Sequence, residues 1–400
     1  MSIPLHLAVA LDGAGWHPAA WREPDARPTE LFTAGYWADL AREAETGLLD
    51  FLTIEDGLGL QTTGFDPPDD RVDEVRGRLD AVLIAARVAP LTRHVGLVPT
   101  TTVTHTEPFH ASKAIATLDY VSSGRGGVRV QVSARSHEAT HFGRRTIPPI
   151  SLDDPGALTD LFDEAADYVE VLRRLWDSWE DDAEIRDAAT GRFVDRDKLH
   201  YIDFAGRFFS VKGPSITPRP PQGQPLVTAL AHATIPYRLA ARSADVVYVT
   251  PSDAGSARAI VDEVRSEQAA AGRGSETLHV FADLVVFLDS DPRTAADRKA
   301  RLDERAGAEY TSDARIFTGT PAGLADLLRE WQAAGLSGFR LRPGSIPADL
   351  TAITRGLVPE LQRADAFRRA YPAGDDPWAG TLRGLLGLAR PANRYAGAAS

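Results

Sequence analysis

The chain has 400 residues, 43% of them hydrophobic and 25% charged, which supplies material for a full globular core. Its 44 Lys and Arg against 56 Asp and Glu leave a net charge of −12, which argues against nucleic acid and anionic membrane surfaces as primary partners, since both are bound through Lys and Arg. The absence of cysteine excludes disulfides, thiolate metal sites, iron–sulfur clusters and Cys nucleophiles.

The N-terminal stretch MSIPLHLAVALDGAGW has no basic region, and its apolar run is too short to span a bilayer, so a cytoplasmic location is expected. From there, short apolar runs alternate with segments of helical period. Pro4–Leu11 reads as a first strand, and Leu31–Leu49 as a helix with Trp37, Leu40, Ala41, Ala44 and Leu48 on one face. Phe51–Asp56 is a second strand and Leu79–Ala89 the next helix. His94–Val103 is a third strand, leading into a helix from Glu107 to Tyr120, and Gly127–Ser133 is a fourth. Pro225–Ala231 and Val246–Val249 are two more strands, separated by a short helix around Arg238–Ser243. Val280–Leu288 and Gly338–Arg342 bring the count to about eight.

Such alternation implies a parallel sheet covered by helices on both faces. Strand signals along the whole length favour a TIM (β/α)8 barrel over an open doubly wound sheet. After the first strand, Gly13-Ala14-Gly15 lacks the third glycine and the prompt helix of a dinucleotide fingerprint. Residues 134–157 and 181–224 break the alternation and are expected to be insertions at the barrel ends, with a C-terminal extension from about residue 357. Residues 1–400 are thus read as one decorated barrel domain.

In a parallel barrel, chemistry sits at the carboxyl ends of the strands. That selects Asp12 and His17 after the first strand, Asp56 at the second, Thr100, Thr102 and His105 at the third, Arg129 and Gln131 in the fourth, and His232 and Thr234 after the fifth. Alternation places the hydroxyls of Thr100 and Thr102 on one face, and separates Arg129 and Gln131 from Val128, Val130 and Val132. The outside of a barrel packs on helices, so the polar face points inward. A guanidinium there needs an anion: a ligand phosphate or carboxylate, Asp12 or Asp56. The loop His232-Ala233-Thr234-Ile235-Pro236, between a strand and a helix, can offer backbone N–H groups to an anion. The string His137-Glu138-Ala139-Thr140-His141 matches the H-E-x-x-H of zinc hydrolases. Its helix is short, however, and only Glu164 offers itself loosely as a third ligand, so no metal is expected. No nucleophile elbow or P-loop occurs.

Several longer strings carry a resemblance. They are GWHPAAWR at 15–22, VGLVPTTTVTHTEPFHASKAIATLDYVSSGR at 95–125, LWDSWEDDA at 175–183, the segment 198–222, VPELQ at 358–362 and TLRGLLGLARPAN at 381–393. In these the chain resembles the bacterial luciferase-like flavin-dependent monooxygenases, specifically the branch containing nitrilotriacetate and dibenzothiophene-sulfone monooxygenases. The resemblance implies a TIM barrel that receives reduced FMN from a separate NAD(P)H-flavin reductase and uses O2 to oxygenate a small organic substrate, as a dimer or tetramer. It implies Asp56 and Thr100 or Thr102 as flavin contacts, and Arg129, Gln131, His232, Ala233 and Thr234, which stand where the family's own contacts are absent, are placed beside them as substitutes. His17 and His105 are placed as catalytic residues and Trp21 on the substrate side.

The chain departs from the family at the flavin site. The pattern G-W-N-V-V-T-S is GVRVQVS at 127–133, and a family His and Tyr align with Leu158 and Phe162. The phosphate loop A-G-S-S-x-x-G corresponds to LAHATIP at 230–236. These departures keep three alternatives open: a deazaflavin-dependent oxidoreductase of the same fold, a non-catalytic luciferase-like subunit, and a zinc hydrolase using His137, Glu138 and His141.

Overall fold

Each apolar run hydrogen-bonds in parallel to the next until the last meets the first. In the computed structural model, which describes residues 5–62, 64, 66–148, 150, 155–372 and 376–397, eight strands close in this way. They are β1 (His6–Leu11), β2 (Phe51–Ile54), β3 (Gly96–Thr102), β4 (Gly127–Gln131), β5 (Leu226–Leu230), β6 (Val246–Val249), β7 (His279–Leu288) and β8 (Gly338–Pro343). Closure is by β8 onto β1, in register from His6 opposite Gly338 to Val9 opposite Leu341. The expected TIM barrel is therefore the observed one.

Local chemistry starts the helices where the pattern placed them. The Thr33 hydroxyl accepts from Tyr36 N at 3.3 Å ahead of the helix Ala34–Thr46, and the Asp80 carboxylate accepts from Leu83 N at 2.8 Å ahead of Ala81–Val88. Such caps satisfy N–H groups that have no partner within the helix. The helix after β5 starts at Thr234, earlier than its apolar period suggested. One further strand, Arg315–Gly319, was not evident from the sequence. It pairs outside the barrel with Leu284–Leu288, the outer half of β7, whose inner half pairs with β6. A ten-residue strand buried throughout can serve two neighbours in succession.

The barrel floor is apolar. Phe51, Leu226, Tyr248 and Phe281 pack there with Leu382, Leu386 and Leu388 from the C-terminal extension. A Cβ at Gly96 would lie 2.5 Å from Leu382, so the close seat of that plug requires glycine. The first insertion carries the helix Ser136–Phe142 and an apolar cluster of Ala139, Ile147 and Leu161 over the carboxyl end of the barrel. The second folds into two small hairpins, Glu184–Asp187 with Arg192–Val194 and Phe204–Ala205 with Ser210–Val211. Among the described residues, no helix is long and apolar enough to cross a membrane.

At the floor, burial pushes the His279 imidazole down from 6.5 to about 4, with His6 adding to the effect, while His279 Nε2 donates to Leu386 O at 2.9 Å. The folded state favours the neutral ring, so this stability is complete above pH 6.5 and is lost as pH falls towards 4, by about 3 kcal/mol. His279→Gln keeps a donor for Leu386 O and cannot titrate. Thermal melts between pH 4 and pH 7 should give this variant a visibly flatter profile than the parent; parallel profiles would remove His279 as the cause.

Candidate functional site

The alternation that turns Arg129 inward on β4 recurs on β8 in GFRLRP, where Arg340 and Arg342 flank Leu341 and face the lumen. On β7, Asp283 stands in register with Arg340. Arg340 Nε and Nη2 donate to the two Asp283 oxygens at 2.8 and 2.5 Å, and Arg342 Nε donates to the same carboxylate at 2.9 Å. Glu55, just after β2, accepts from Arg340 Nη1 at 3.2 Å and pairs with Arg129 Nη1 at 2.9 Å. Arg129 Nη1 also donates to Thr100 Oγ1 at 2.9 Å and Gln131 Oε1 at 3.0 Å. The Arg340 guanidinium lies 4.0 Å from the Tyr248 ring centre, and that of Arg342 lies 4.5 Å from Trp16. Burial disfavours charge on Glu55 and Asp283, but the adjoining guanidiniums outweigh it and hold both carboxyls below the usual range. A buried ion pair is sustained only with this many hydrogen bonds.

Arg129 thus has a carboxylate partner, but neither of the two expected ones: it is Glu55. Asp12 is taken by Arg78 at 2.6 Å. Asp56 accepts from Gly57 N at 2.7 Å and Ala81 N at 2.9 Å, and burial raises its pKa.

Above this layer, at the carboxyl ends of the strands, lies a cavity of about 590 Å3. Val130, Val132, Leu158, Phe162, Leu230 and Leu239 form its apolar walls, and Asp56, Arg129, Gln131, Ser133 and His232 are among its polar ones. An adjoining cavity of about 490 Å3 shares Asp12, Trp16, Gln61 and Arg78 with it and is lined further by His17, Trp21 and Tyr310.

The predicted residues therefore separate into groups. Asp56, Arg129, Gln131 and His232 meet at the first cavity, and His17 and Trp21 at the second. His17 has both ring nitrogens engaged: Nδ1 accepts from Ala19 N at 3.1 Å, and Nε2 donates to Asp303 at 3.0 Å. Burial lowers its pKa. Thr100 lies beneath the cavity against Arg129, and Thr102, opposite Gln131, is buried without lining it. His105 stacks on Phe142 with ring centres 5.1 Å apart, in a separate cavity of about 180 Å3. Ala233 and Thr234 do not line the cavity, and the Thr234 hydroxyl donates to Glu263 at 2.7 Å. The H-E-x-x-H string is helical, but His137 Nδ1 donates to Asp66 at 2.8 Å and Glu164 pairs with Arg145 at 2.6 Å. Among the described residues, no three His, Asp or Glu side chains converge as a metal set.

Glu55, Asp283, Arg340 and Arg342 escaped the sequence reading. Arg340 and Arg342 carried the same signal as Arg129 and Gln131, a polar face alternating with an apolar one. Asp283, a lone acid within the run HVFADLVVFL, could have been found by asking what would neutralise them.

A (β/α)8 barrel with a deep cavity over its strand ends belongs to the enzyme class that builds active sites from those loops. The Luciferase-like monooxygenase family matches residues 15–315, and the chain belongs to that family of oxidoreductases. Nitrilotriacetate monooxygenase component A of Aminobacter aminovorans is 29% identical over 98% of each chain. Dibenzothiophene-sulfone monooxygenase of Rhodococcus erythropolis is 26% identical over 93% of each. The crystal structure of a long-chain alkane monooxygenase superposes with a TM-score of 0.84 over 96% of each chain, at 24% identity.

Replacing Asp283 with Asn would leave Arg340 and Arg342 short of an anion. Urea denaturation should show a loss of roughly 3–5 kcal/mol, as for other broken buried pairs. Asp313→Asn touches a half-exposed carboxylate and should cost at most about 1 kcal/mol. Equal losses would mean that the lumenal pairs do not govern stability.

Proposed function

We propose that the protein is the oxygenase of a two-component system: it binds a reduced flavin in the 590 Å3 cavity and oxygenates a small organic molecule admitted through the adjoining one. A separate NAD(P)H-flavin reductase would supply the reduced cofactor. Support comes from the relatives named above and from the chemistry of the cavity wall. A flavin ring is flat, with apolar faces and a polar edge that accepts and donates hydrogen bonds. The cavity offers Val130, Val132, Phe162 and Leu230 for the faces. For the edge it offers the Gln131 amide and Arg129, whose Nε is buried without a hydrogen-bond partner. That orphaned donor is the observation that carries the reading, because a buried N–H left unpaired costs free energy that a ligand acceptor would restore.

When bound, reduced flavin supplies the electron pair with which one oxygen atom of O2 enters the substrate while the other leaves as water. The protein's part is to position and to exclude water. Glu55, Thr100 and Gln131 all hold the Arg129 guanidinium through Nη1. Asp56, held by two backbone N–H groups, keeps the strand-end loop against the cavity. His17 acts through position, since its bonds to Ala19 and Asp303 tie down the loop that presents Trp16 and Trp21. Trp21, anchored through Nε1 to Asp73 O at 3.0 Å, walls the substrate side.

Titration of the purified protein with flavin, followed by fluorescence quenching, should saturate. Arg129→Leu and Gln131→Leu should each weaken binding by about tenfold to a hundredfold, the equivalent of roughly 1.5–3 kcal/mol for a hydrogen bond to a charged group. If neither oxidised nor reduced flavin binds saturably, the proposal fails.

A further inference from the structure

Where β5 hands over to the helix Thr234–Ser243, the charge of the cavity runs against a phosphate. A helix N-terminus normally suits an anion, because its first N–H groups point outward with partial positive charge. Here Pro236 removes one of those donors. The Thr234 hydroxyl donates to Glu263 Oε1 at 2.7 Å, which sets a carboxylate beside the first turn. The neighbouring His232 lies 2.9 Å from Thr250 Oγ1 through Nδ1 and 3.4 Å from Asp313 through Nε2. Desolvation lowers its pKa, against the opposing pull of Asp313.

The rest of the wall offers no spare cation. Its guanidiniums each face a carboxylate: Arg78 faces Asp12 at 2.6 Å, Arg129 faces Glu55 at 2.9 Å, Arg342 faces Asp313 at 2.6 Å, and Arg135 stands 3.9 Å from Glu138. Asp56 adds a fifth carboxyl against four guanidiniums among the described lining residues. Glu138 is buried, and its Oε2 has no hydrogen-bond partner. Two arginines lining other cavities are matched too, Arg145 by Glu164 and Arg238 by Glu267. The residues outside the described set include no Lys, Arg or His. A phosphate ester carrying about −1.5 to −2 charge would give up water and gain no cation in return. The apolar walls and the Arg129 and Gln131 donors, by contrast, address only the ring.

We infer that this cavity recognises a flavin through its ring system and leaves the phosphate unrecognised, so that riboflavin is bound as well as FMN. The inference rests on the flavin reading proposed above and concerns which part of that cofactor the protein reads. Asp313 is the residue that sets the discrimination, because it lines the cavity and faces both His232 and Arg342, the groups a phosphate would need.

The test is a pair of fluorescence titrations of the full-length protein at one ionic strength, one with riboflavin and one with FMN. Each is repeated with added inorganic phosphate and with anaerobically reduced flavin. Riboflavin is expected to bind at least as tightly as FMN, or with FMN ahead by no more than about threefold, and phosphate should displace neither. Asp313→Asn is expected to raise FMN affinity severalfold more than riboflavin affinity. FMN binding more than about threefold tighter than riboflavin, or competition by inorganic phosphate, would overturn the inference while leaving the flavin reading intact. Saturable binding of neither flavin would overturn both.

Discussion

The structure depends on one layer of opposed charge inside the barrel. Asp283 serves two guanidiniums at once, and Glu55 joins Arg340 to Arg129, so a chain of ion pairs crosses the lumen from β7 through β8 to β4. Arg340 and Asp283 have no exposed surface, which makes any uncompensated member of the set costly. The layer divides the interior into two regions. Below it lies the aromatic floor of Phe51, Tyr248 and Phe281, with Arg340 resting on Tyr248 and His279 against Phe281. Above it the cavity opens with its polar groups already oriented.

That orientation is what gives the cavity its chemical character. Arg129 enters a lumen otherwise flanked by valines; three neighbours fix its Nη1, and its buried Nε has no hydrogen-bond partner. Arg342 reaches the other way, to Asp313 and across Trp16, and so couples the barrel to the loops that wall both cavities. Each guanidinium is nearly saturated by carboxylates. The polar groups of the site are therefore fixed by one another, with little positive charge left uncompensated.

Apart from residues 15–22, which bring Trp16, His17 and Trp21 to the cavities, the strings through which the chain resembles its family do other work. Trp176 Nε1 donates to Ser112 O at 3.1 Å and Trp179 Nε1 to Ser215 O at 2.8 Å. Arg219 pairs with Asp177 at 3.1 Å and Asp181 at 2.8 Å, and Asn393 Nδ2 donates to Asp177 O and Trp179 O. These contacts bind the second insertion and the C-terminal extension to the long helix Gly156–Asp177, and none of these residues lines the cavity. Much of the resemblance to the family thus lies in the scaffold, while the residues that depart from it, Arg129, Gln131, Leu158, Phe162 and His232, line the pocket together with Trp16.

By itself the sequence pointed to the barrel, because strand and helix periods are local: alternation in GVRVQV is enough to turn Arg129 and Gln131 inward, and apolar runs repeated along the whole length favour closure over an open sheet. It also placed Asp56, Gln131 and His232 at the same end of the molecule. What it could not supply was which charges would meet. Glu55 and Arg340 are 285 positions apart, and whether they touch depends on register, twist and closure around the whole barrel. For the same reason only the tertiary structure showed that Glu55, not Asp12 or Asp56, neutralises Arg129, that His105 lies in a different cavity, that His17 has no free nitrogen, and that β7 has an outer partner. Periodicity fixes which way a side chain points; its partner is set by packing summed over the entire fold.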